Sequence, residues 1–486
     1  MPDTSVNRSE PVDIAIMGAS GDLCKRKLIP ALYALFVHGL LPQTFSINGF
    51  ARSPFNDTGI RDQYAPYLQT DLLGSVQHRE QFLEHCFYHV GSYDSQDDFS
   101  SFNTAIRQRG GFNGHRLFYM SVPPSVFLPA TQSIAAAGLL QTPPQFWTRV
   151  VLEKPFGRDS RSSAELTAHI EQLLSPGQIY RIDHYLGKEV IQNLLILRFA
   201  NLILEPLWNR NYIESVSISF SEKQGLEGRV GYFDSYGIIR DIMQNHLMQI
   251  LALVAMEPPV KLTSRDVAAE KVKVLRCIPP LTIDDVVIGQ YSGGTINGVS
   301  RPGYLEEPGI PPDSTTETFA RATLKIHNLR WSGVPFYLSA GKALSSRKTE
   351  IIVKFKEVPY SIFGSVSPIA CSNDLHIRVQ PNEAIELHLA SKVPGLGMQM
   401  KKVNLNMLYQ SEFGHELPDA YERLLLDVMR GDHTLFIQDE ELAVSWGIMT
   451  PLLDELARRR LPPLPYPYGS SGPCSGSPAP TGTAAP

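Results

Sequence analysis

The sequence predicts two domains, an α/β domain with a parallel sheet followed by an α+β domain with a large, mainly antiparallel sheet. Length is the first observation, because 486 residues exceed what one hydrophobic core usually supports. Near-continuous apolar runs separated by helix-like stretches come first along the chain, as strands that are buried on both faces require. Later runs alternate apolar and polar residues, which is typical of a half-buried antiparallel sheet.

Composition limits the classes of protein that the chain can belong to. With 43% hydrophobic and 19% charged residues it is globular, and a net charge of −5 argues against nucleic-acid binding. Five cysteines without metal-ligand spacing favour a reducing compartment and make zinc unexpected. The polar residues 1–10 are not a secretory signal, and no run has membrane-spanning length. We therefore expect a cytoplasmic protein with neither a membrane nor a nucleic-acid partner.

A glycine-containing turn follows the first predicted strand, residues 12–17, and precedes a helical pattern over 28–35. Glycines at such a turn let backbone N–H groups approach a pyrophosphate at a helix start, which predicts a Rossmann-like dinucleotide-binding domain. The third glycine of the full fingerprint is missing, so an ordinary glycine-rich turn is the alternative. The predicted cofactor-binding residues of the turn are Gly18, Ala19, Ser20, Gly21, Asp22 and Leu23.

Arg52 ends the next predicted strand, residues 45–50. An NAD enzyme usually places an acidic side chain here on the ribose 2′-hydroxyl, whereas an arginine accommodates a 2′-phosphate. Arg52 therefore favours NADP as the cofactor, and a solvent-facing arginine is the alternative. Further apolar strands are predicted at 117–122 and 150–152.

Residues 181–189 gather Asp183, His184, Tyr185 and Lys188 before an apolar, helix-like run. If a helix begins at the aspartate, Asp183 is its N-cap, and His184 and Lys188 lie four apart on one face. A helix N-terminus that presents an ammonium and an imidazole suits a dianionic ligand such as a phosphate ester. A capped helix with a surface histidine and lysine is the alternative.

A long helix is predicted at residues 238–256, among alternating strands that include 214–222 and 375–379. Its apolar residues cover most of its circumference, which indicates a buried helix. His246 interrupts that surface, although a buried histidine is more often structural than catalytic.

The predicted divisions of the chain are an α/β domain over 1–182, an α+β domain over 183–468 and a disordered low-complexity tail over 469–486.

Four blocks of this sequence, residues 18–28, 153–157, 183–189 and 240–246, resemble motifs of the glucose-6-phosphate dehydrogenase family, and the resemblance runs from about residue 13 to residue 472. It implies oxidation of glucose 6-phosphate at C1 to a 6-phosphogluconolactone, with hydride transfer to NADP and no metal. It assigns the general base to His246 and the base-orienting carboxylate to Asp183. It also implies a cis Lys154–Pro155 peptide bond, and a homodimer or homotetramer formed through the second domain's sheet.

The resemblance further assigns the residues that bind the substrate. His184, Tyr185 and Lys188 match the phosphate-binding positions. Glu222 and Asp241 match carboxylates that contact sugar hydroxyls. The basic positions that the family places near the substrate are occupied here by Lys154, Lys342, Lys27 and Arg347. The resemblance also places Lys154 against the cofactor.

The sequence departs from some family members at three positions. Those members hold a second, structural NADP with arginines, and Ser339, Ile352 and Ser471 stand at the matching positions here. We therefore expect this chain to lack the second site. Two alternatives to the implied activity are a dehydrogenase of another sugar phosphate and an NADP-binding regulatory protein that has lost catalysis, although the catalytic positions are retained.

Overall fold

The structure, a computed structural model, places the chain in two compact units. Unit 1 comprises Met1–Gln192, Pro258–Val272 and Leu417–Ala443, and unit 2 comprises Asn193–Glu257, Lys273–Glu416 and Val444–Pro486. The residues that the structure describes are 9–68, 73–111, 114–226, 228, 230–296, 298–360, 373–414 and 417–473.

The strands are, in chain order, β1 Val12–Met17, β2 Phe45–Ala51, β3 Cys86–Val90, β4 His115–Met120, β5 Thr148–Glu153, β6 Ile179–Ile182, β7 Ile213–Ser221, β8 Val286–Ser292, β9 Gly294–Ile296, β10 Val299–Arg301, β11 Phe319–Lys325, β12 Pro335–Gly341, β13 Lys348–Phe355, β14 Asp374–Gln380, β15 Ala384–Lys392, β16 Met400–Leu408, β17 Phe436–Ile437 and β18 Leu464–Pro467.

The α-helices are α1 Ile29–Val37, α2 Asp57–Tyr64, α3 Val76–Glu84, α4 Gln96–Gln108, α5 Pro124–Ala136, α6 Ser160–Glu171, α7 Glu189–Phe199, α8 Val230–Ile238, α9 Met248–Ala255, α10 Ser264–Leu275, α11 Tyr409–Phe413, α12 Ala420–Arg430 and α13 Asp439–Arg459. Two π-helical segments, Cys24–Leu28 and Ile239–Leu247, lead into α1 and α9. Among the described helices, none has the length and apolar character needed to cross a membrane.

Unit 1 contains a seven-stranded sheet with the order β17-β6-β5-β4-β1-β2-β3. All neighbours pair in parallel except β17, which pairs antiparallel with β6. Strands β1 to β6 thus have the Rossmann order, which reverses between β1 and β4. Open sheets of this kind bind ligands beyond the carboxyl ends of the strands at the reversal. The predicted parallel α/β domain is confirmed.

The structure differs from the predicted domain boundary at residue 183. Strand β17 completes the edge of the first sheet through Phe436 and Ile437, which pair with Ile182 and Arg181. Helix α12 also belongs to unit 1. A strand of two residues has no periodicity, so its pairing with a strand far earlier in the chain could not be predicted from the sequence.

Unit 2 contains a nine-stranded sheet with the order β16-β15-β14-β13-β7-β12-β11-β8-β18. Only the pairs β7–β12 and β8–β18 are parallel, so the predicted mainly antiparallel sheet is confirmed. The π-helical segment Ile239–Leu247 packs against β7 and β12. Together with α9 it forms the predicted long helix, and π-helical turns often mark functional positions.

The predicted helix start at Asp183 is wrong, because α7 begins at Glu189. The Asp183 carboxylate accepts a hydrogen bond of 2.9 Å from the Tyr185 N–H, and the Lys188 N–H donates to the Tyr185 carbonyl at 3.1 Å. An aspartate that bonds the backbone two residues on stabilises a turn and competes with the helix. His184 and Lys188 therefore lie in a turn and not four apart on a helix face.

The structure also differs from the predicted tail over residues 469–486. The Gly469 N–H donates to the Ala343 carbonyl at 2.7 Å, and the Ser345 N–H donates to the Ser470 carbonyl at 2.8 Å. Gly469 and Ser470 are thus hydrogen-bonded to earlier residues of unit 2, while 474–486 lie outside the described residues.

Candidate functional site

The predicted nucleotide turn lies where the strand order of the first sheet reverses. Gly18 follows β1 with φ of +85°, and a Cβ added to it would lie 2.1 Å from the carbonyl oxygen of Ser121, which follows β4. The Gly21 N–H donates to the Gly18 carbonyl at 2.9 Å, and the chain becomes helical from Asp22. A tight turn without side-chain bulk before a helix N-terminus fits a dinucleotide pyrophosphate.

Arg52 is exposed immediately beyond β2, beside that turn. Its guanidinium lies 5.7 Å from the centre of the Tyr93 ring. The neighbouring Ser53 hydroxyl shares a hydrogen bond of 3.1 Å with the hydroxyl of Ser20. Arg52 is therefore exposed beside the glycine turn, and its role in binding the cofactor stays a prediction.

Glu153 and Lys154 end β5, and the Lys154–Pro155 peptide bond is cis as expected. The Glu153 side chain is buried and accepts a hydrogen bond of 2.5 Å from the Tyr119 hydroxyl. Burial raises the pKa of Glu153 to about 7, opposed by hydrogen bonds from Tyr119 and Tyr421 and by the charge of Lys154, while the charge of Asp183 raises it further. This buried acid is a feature that sequence reasoning missed.

Helix α12 and its cap carry a second group of residues whose position near the turn after β6 the sequence did not predict. Asp419 caps α12 and pairs with Lys27 at 2.8 Å. The ring of Tyr421 lies parallel to that of His184, with 6.1 Å between centroids and 9° between planes. A Cβ added to Gly187 would lie 2.6 Å from the Ala420 carbonyl oxygen. The Asp-x-x-Glu pattern at 419–422 is a capping box that predicts this helix, but it does not predict where the helix packs.

The three predicted phosphate ligands occupy the turn between β6 and α7. His184 and Lys188 are half-buried, and Tyr185 is buried. The Lys188 ammonium lies 5.3 Å from the centre of the Tyr185 ring. A lysine and an imidazole on one short turn can both donate to a single anionic group.

In unit 2, His246 lies on the π-helical segment with only 1% of its surface exposed. Its backbone N–H donates to the Asn245 side-chain oxygen at 2.7 Å, and the Asn245 amide donates to the Arg240 carbonyl at 3.0 Å. The carboxylate of Glu317 accepts from the Ile239 N–H at 3.2 Å, where the segment begins. Burial raises the pKa of Glu317, against the effect of hydrogen bonds and of the Arg240 charge.

The structure brings two more predicted residues of unit 2 together. Glu222 follows β7 and Lys342 follows β12, and these strands pair in parallel with Ser221 opposite Gly341. The Lys342 ammonium donates to the Glu222 carboxylate. Asp241 is half-buried on the π-helical segment, whereas Arg347 is exposed between β12 and β13.

The chain matches two family models that together span almost all of it. One, described as glucose-6-phosphate dehydrogenase, NAD binding domain, matches residues 15–193, and the other, described as the C-terminal domain, matches residues 195–478. The chain belongs to the glucose-6-phosphate dehydrogenase family. This membership agrees with the Rossmann order of the first sheet and the large second sheet.

Members of the glucose-6-phosphate dehydrogenase family from a plant and from Dictyostelium are similar in sequence to this chain. The chain is 50% identical over 471 residues to glucose-6-phosphate 1-dehydrogenase 1, chloroplastic, of Arabidopsis thaliana, covering 95% of this chain and 81% of the relative. It is 46% identical to glucose-6-phosphate 1-dehydrogenase of Dictyostelium discoideum, covering 98% and 94%. A solved glucose-6-phosphate dehydrogenase in complex with its substrate glucose-6-phosphate aligns with a TM-score of 0.87 at 41% identity, covering 96% of each chain.

The family comparison does not test the prediction that this chain lacks a second NADP site. Ser339 lies on β12 and Ile352 on β13, and Ser471 is exposed after β18. None of these three side chains carries the positive charge that phosphate binding uses. We continue to expect that this chain lacks the site.

Proposed function

We propose that this chain oxidises D-glucose 6-phosphate at C1 to 6-phospho-D-glucono-1,5-lactone and passes the hydride to NADP, the first step of the oxidative pentose phosphate pathway. The observation that carries the proposal is the similarity, over 96% of the chain, to a glucose-6-phosphate dehydrogenase solved with glucose 6-phosphate. The plant and Dictyostelium relatives carry the name of the same activity.

The proposed reaction needs a general base, because the hydride can leave C1 only as the C1 hydroxyl loses its proton. We propose His246 as that base, since histidine is the residue that serves most often and base catalysis contributes about 10²- to 10⁴-fold. NADP, when bound, supplies the hydride acceptor. The role of Asp183 in orienting the base stays a prediction, which a double-mutant cycle of Asp183→Asn and His246→Asn tests through non-additive effects on kcat.

We propose that the remaining site residues bind and orient the sugar phosphate. His184, Tyr185 and Lys188 would hold the phosphate dianion through charge-assisted hydrogen bonds. The carboxylate of Glu222, itself held by Lys342, would accept hydrogen bonds from sugar hydroxyls. A fixed sugar ring presents C1 to the nicotinamide, which lowers the entropic part of the barrier.

NADP is the proposed cofactor in preference to NAD. The exposed guanidinium of Arg52 and the hydrogen bond between Ser20 and Ser53 support this preference, because they put a cation and two hydroxyls beside the nucleotide turn. An arginine can bind a 2′-phosphate through two parallel hydrogen bonds, which NAD has no group to accept.

The deciding experiment measures NADPH or NADH formation with glucose 6-phosphate, other hexose and pentose phosphates, and free glucose. We expect the highest kcat/KM for glucose 6-phosphate with NADP. A higher value for a different sugar phosphate would make the chain a dehydrogenase of that sugar. Cofactor binding without turnover of any substrate would make it a regulatory protein. The matched control is His246→Asn, which should bind NADP normally and turn over slowly.

We further propose a homodimer or homotetramer formed through the sheet of unit 2. The edge strand β16 exposes 58% of Leu405 and 39% of Leu408, and apolar side chains on an edge strand favour pairing with another copy. Light scattering with size exclusion gives the mass directly. Leu405→Lys should shift it toward the monomer if this edge is the interface.

The proposed location is the cytoplasm. Cys24, Cys86 and Cys277, the described cysteines, are free thiols, which supports a reducing compartment. Because several plant relatives are named as chloroplast proteins, fractionation of the source cells is the appropriate test. Recovery in an organelle fraction would contradict the proposal.

A further inference from the structure

Three side chains on β14 and β15 form a compact cluster that the proposed reaction does not use. The Asp374 oxygen Oδ1 lies 2.6 Å from Nε2 of His376 and 2.6 Å from Nδ1 of His388. The three ligand-type atoms all lie within 4.8 Å of one another. The side chains are 10%, 26% and 14% exposed, respectively, so the cluster is partly shielded but open to small solutes.

Strand register explains why these three residues meet. Asp374 lies directly opposite His388 on neighbouring antiparallel strands, and His376 lies opposite Glu386. Residues 374 and 376 share one face of β14, as 386 and 388 do on β15, because side chains alternate along a strand. Two paired strands therefore hold both imidazoles and both carboxylates on a rigid surface.

One atom of this cluster has no hydrogen-bond partner among the described residues. It is Nε2 of His388, which is buried and lies 3.8 Å from the nearest Glu386 oxygen, beyond hydrogen-bonding distance. Arg378 donates to the other carboxylate oxygen of Glu386. Because buried polar atoms are almost always hydrogen-bonded, this unpartnered ring nitrogen needs a physical explanation.

We propose that Asp374, His376 and His388 form a binding site for a divalent transition-metal ion, with Zn²⁺ as the best match. Two imidazoles and one carboxylate are a ligand set that Zn²⁺ uses, with a fourth position left for water. The site is separate from the dehydrogenase reaction, which needs no metal, and its failure would leave the proposed function untouched.

The proton positions make the switch to a metal-bound state straightforward. As donors to Asp374, the imidazoles carry their protons on Nε2 of His376 and Nδ1 of His388. A metal bound at those two atoms requires neutral imidazoles that carry their protons on the other nitrogen of each ring. The proton of His388 then lies on Nε2 and faces Glu386, as in the carboxylate–histidine–metal arrangement of natural sites.

Small movements suffice to fit the ion. Tetrahedral Zn²⁺ with bonds of about 2.0–2.2 Å separates its ligand atoms by about 3.3 Å. The present separations of 2.6 Å between Asp374 and each imidazole must therefore widen by less than 1 Å, which side-chain rotation at the surface of a sheet allows.

The positively charged side chain of Lys402, on β16, opposes metal binding. Its ammonium contacts Oδ2 of Asp374, the oxygen that does not face the imidazoles. That contact fixes the orientation of the carboxylate, but its positive charge repels a divalent ion nearby. Replacing Lys402 with glutamine should therefore tighten binding, a gain that a merely damaged protein would not show.

The test is a calorimetric titration of ZnCl2 into the full-length protein after chelator treatment. We expect one saturable ion per chain, no such binding in His376→Gln, and tighter binding in Lys402→Gln. Glu386→Gln should weaken the affinity by about 10- to 100-fold, the usual cost of losing a carboxylate that orients a ligand. The matched control is His78→Gln, an exposed histidine on α3, which should leave the titration unchanged.

A second readout uses Co²⁺ in place of Zn²⁺, because its visible absorption is intense only in a tetrahedral site. The parent and His78→Gln should develop this absorption, and His376→Gln should not. Normal dehydrogenase activity in His376→Gln would show that the variant is folded. Absence of saturable Zn²⁺ binding in the parent, or binding that persists in both His376→Gln and His388→Asn, would overturn the proposal.

Discussion

Replacing Glu153 with glutamine should stabilise the protein at alkaline pH and not at acid pH. The carboxyl lies at the end of a central strand, where burial raises its pKa from 4.5 to about 7 despite hydrogen bonds from Tyr119 and Tyr421. The folded protein therefore holds this proton over a pH range in which the unfolded chain releases it. Glutamine keeps the size and the accepting oxygen but carries no charge at any pH.

The size and sign of the effect follow from proton linkage. Below pH 4.5 the carboxyl is protonated in both states, so its ionisation costs nothing. Between pH 4.5 and about 7 the folded state binds more protons than the unfolded state, and the free energy of unfolding falls as pH rises. Each pKa unit corresponds to about 1.4 kcal/mol, so above pH 7 the buried charge costs about 3 kcal/mol. Glu153→Gln removes that cost.

The assay compares the Tm of Glu153→Gln with that of the parent at about pH 5 and about pH 8. At about 2–4 °C per kcal/mol for a unit of this size, the variant should gain several degrees relative to the parent between the two conditions. The control is Glu165→Gln on α6, whose exposed side chain pairs with Arg161 at the surface. A Tm difference that is the same at both pH values would refute a raised pKa for Glu153.

Four further predictions concern the site and the C-terminus. Arg52→Ala should weaken NADP binding by about 1.5–3 kcal/mol and leave NAD binding unchanged, and equal losses in titrations of both would contradict its role. Lys188→Ala should lower kcat/KM for glucose 6-phosphate by about 10- to 150-fold, mostly through KM, with little change for free glucose. His246→Asn should lower kcat by about 10²- to 10⁴-fold with a smaller change in KM, and a near-normal kcat would remove it from the mechanism. Deleting residues 470–486 should lower the Tm because it removes the hydrogen bond from Ser345 to Ser470, whereas deleting 474–486 should not.

The features predicted correctly from the sequence are those encoded locally. Apolar strands that alternate with helical patterns predicted the parallel first sheet, and alternation of period two predicted the antiparallel second sheet. The turn from Gly18 to Leu23 and the position of Arg52 beyond β2 also depend on short stretches of chain. In each case the signal lies within a few residues of the structure that it specifies.

The features that the sequence did not predict depend on competing local bonds or on distant contacts. The sequence does not distinguish a turn from a helix start at Asp183, because an aspartate side chain stabilises both, and only the hydrogen bond from Tyr185 decides between them. The contact of Tyr421 with Glu153 joins α12 to β5 across most of the chain. The meeting of His376 and His388 requires the register of two strands, and no sequence pattern reports it.

The fate of the hydrogen on C1 is the most direct test of the proposed reaction. Glucose 6-phosphate that carries deuterium at C1 should transfer it to NADP, so the NADPH formed should contain one deuterium and the lactone none. Mass spectrometry of both products after a single turnover gives the answer without any assumption about rates. Unlabelled NADPH beside a deuterated sugar product would contradict hydride transfer from C1 and, with it, the proposed function of the chain.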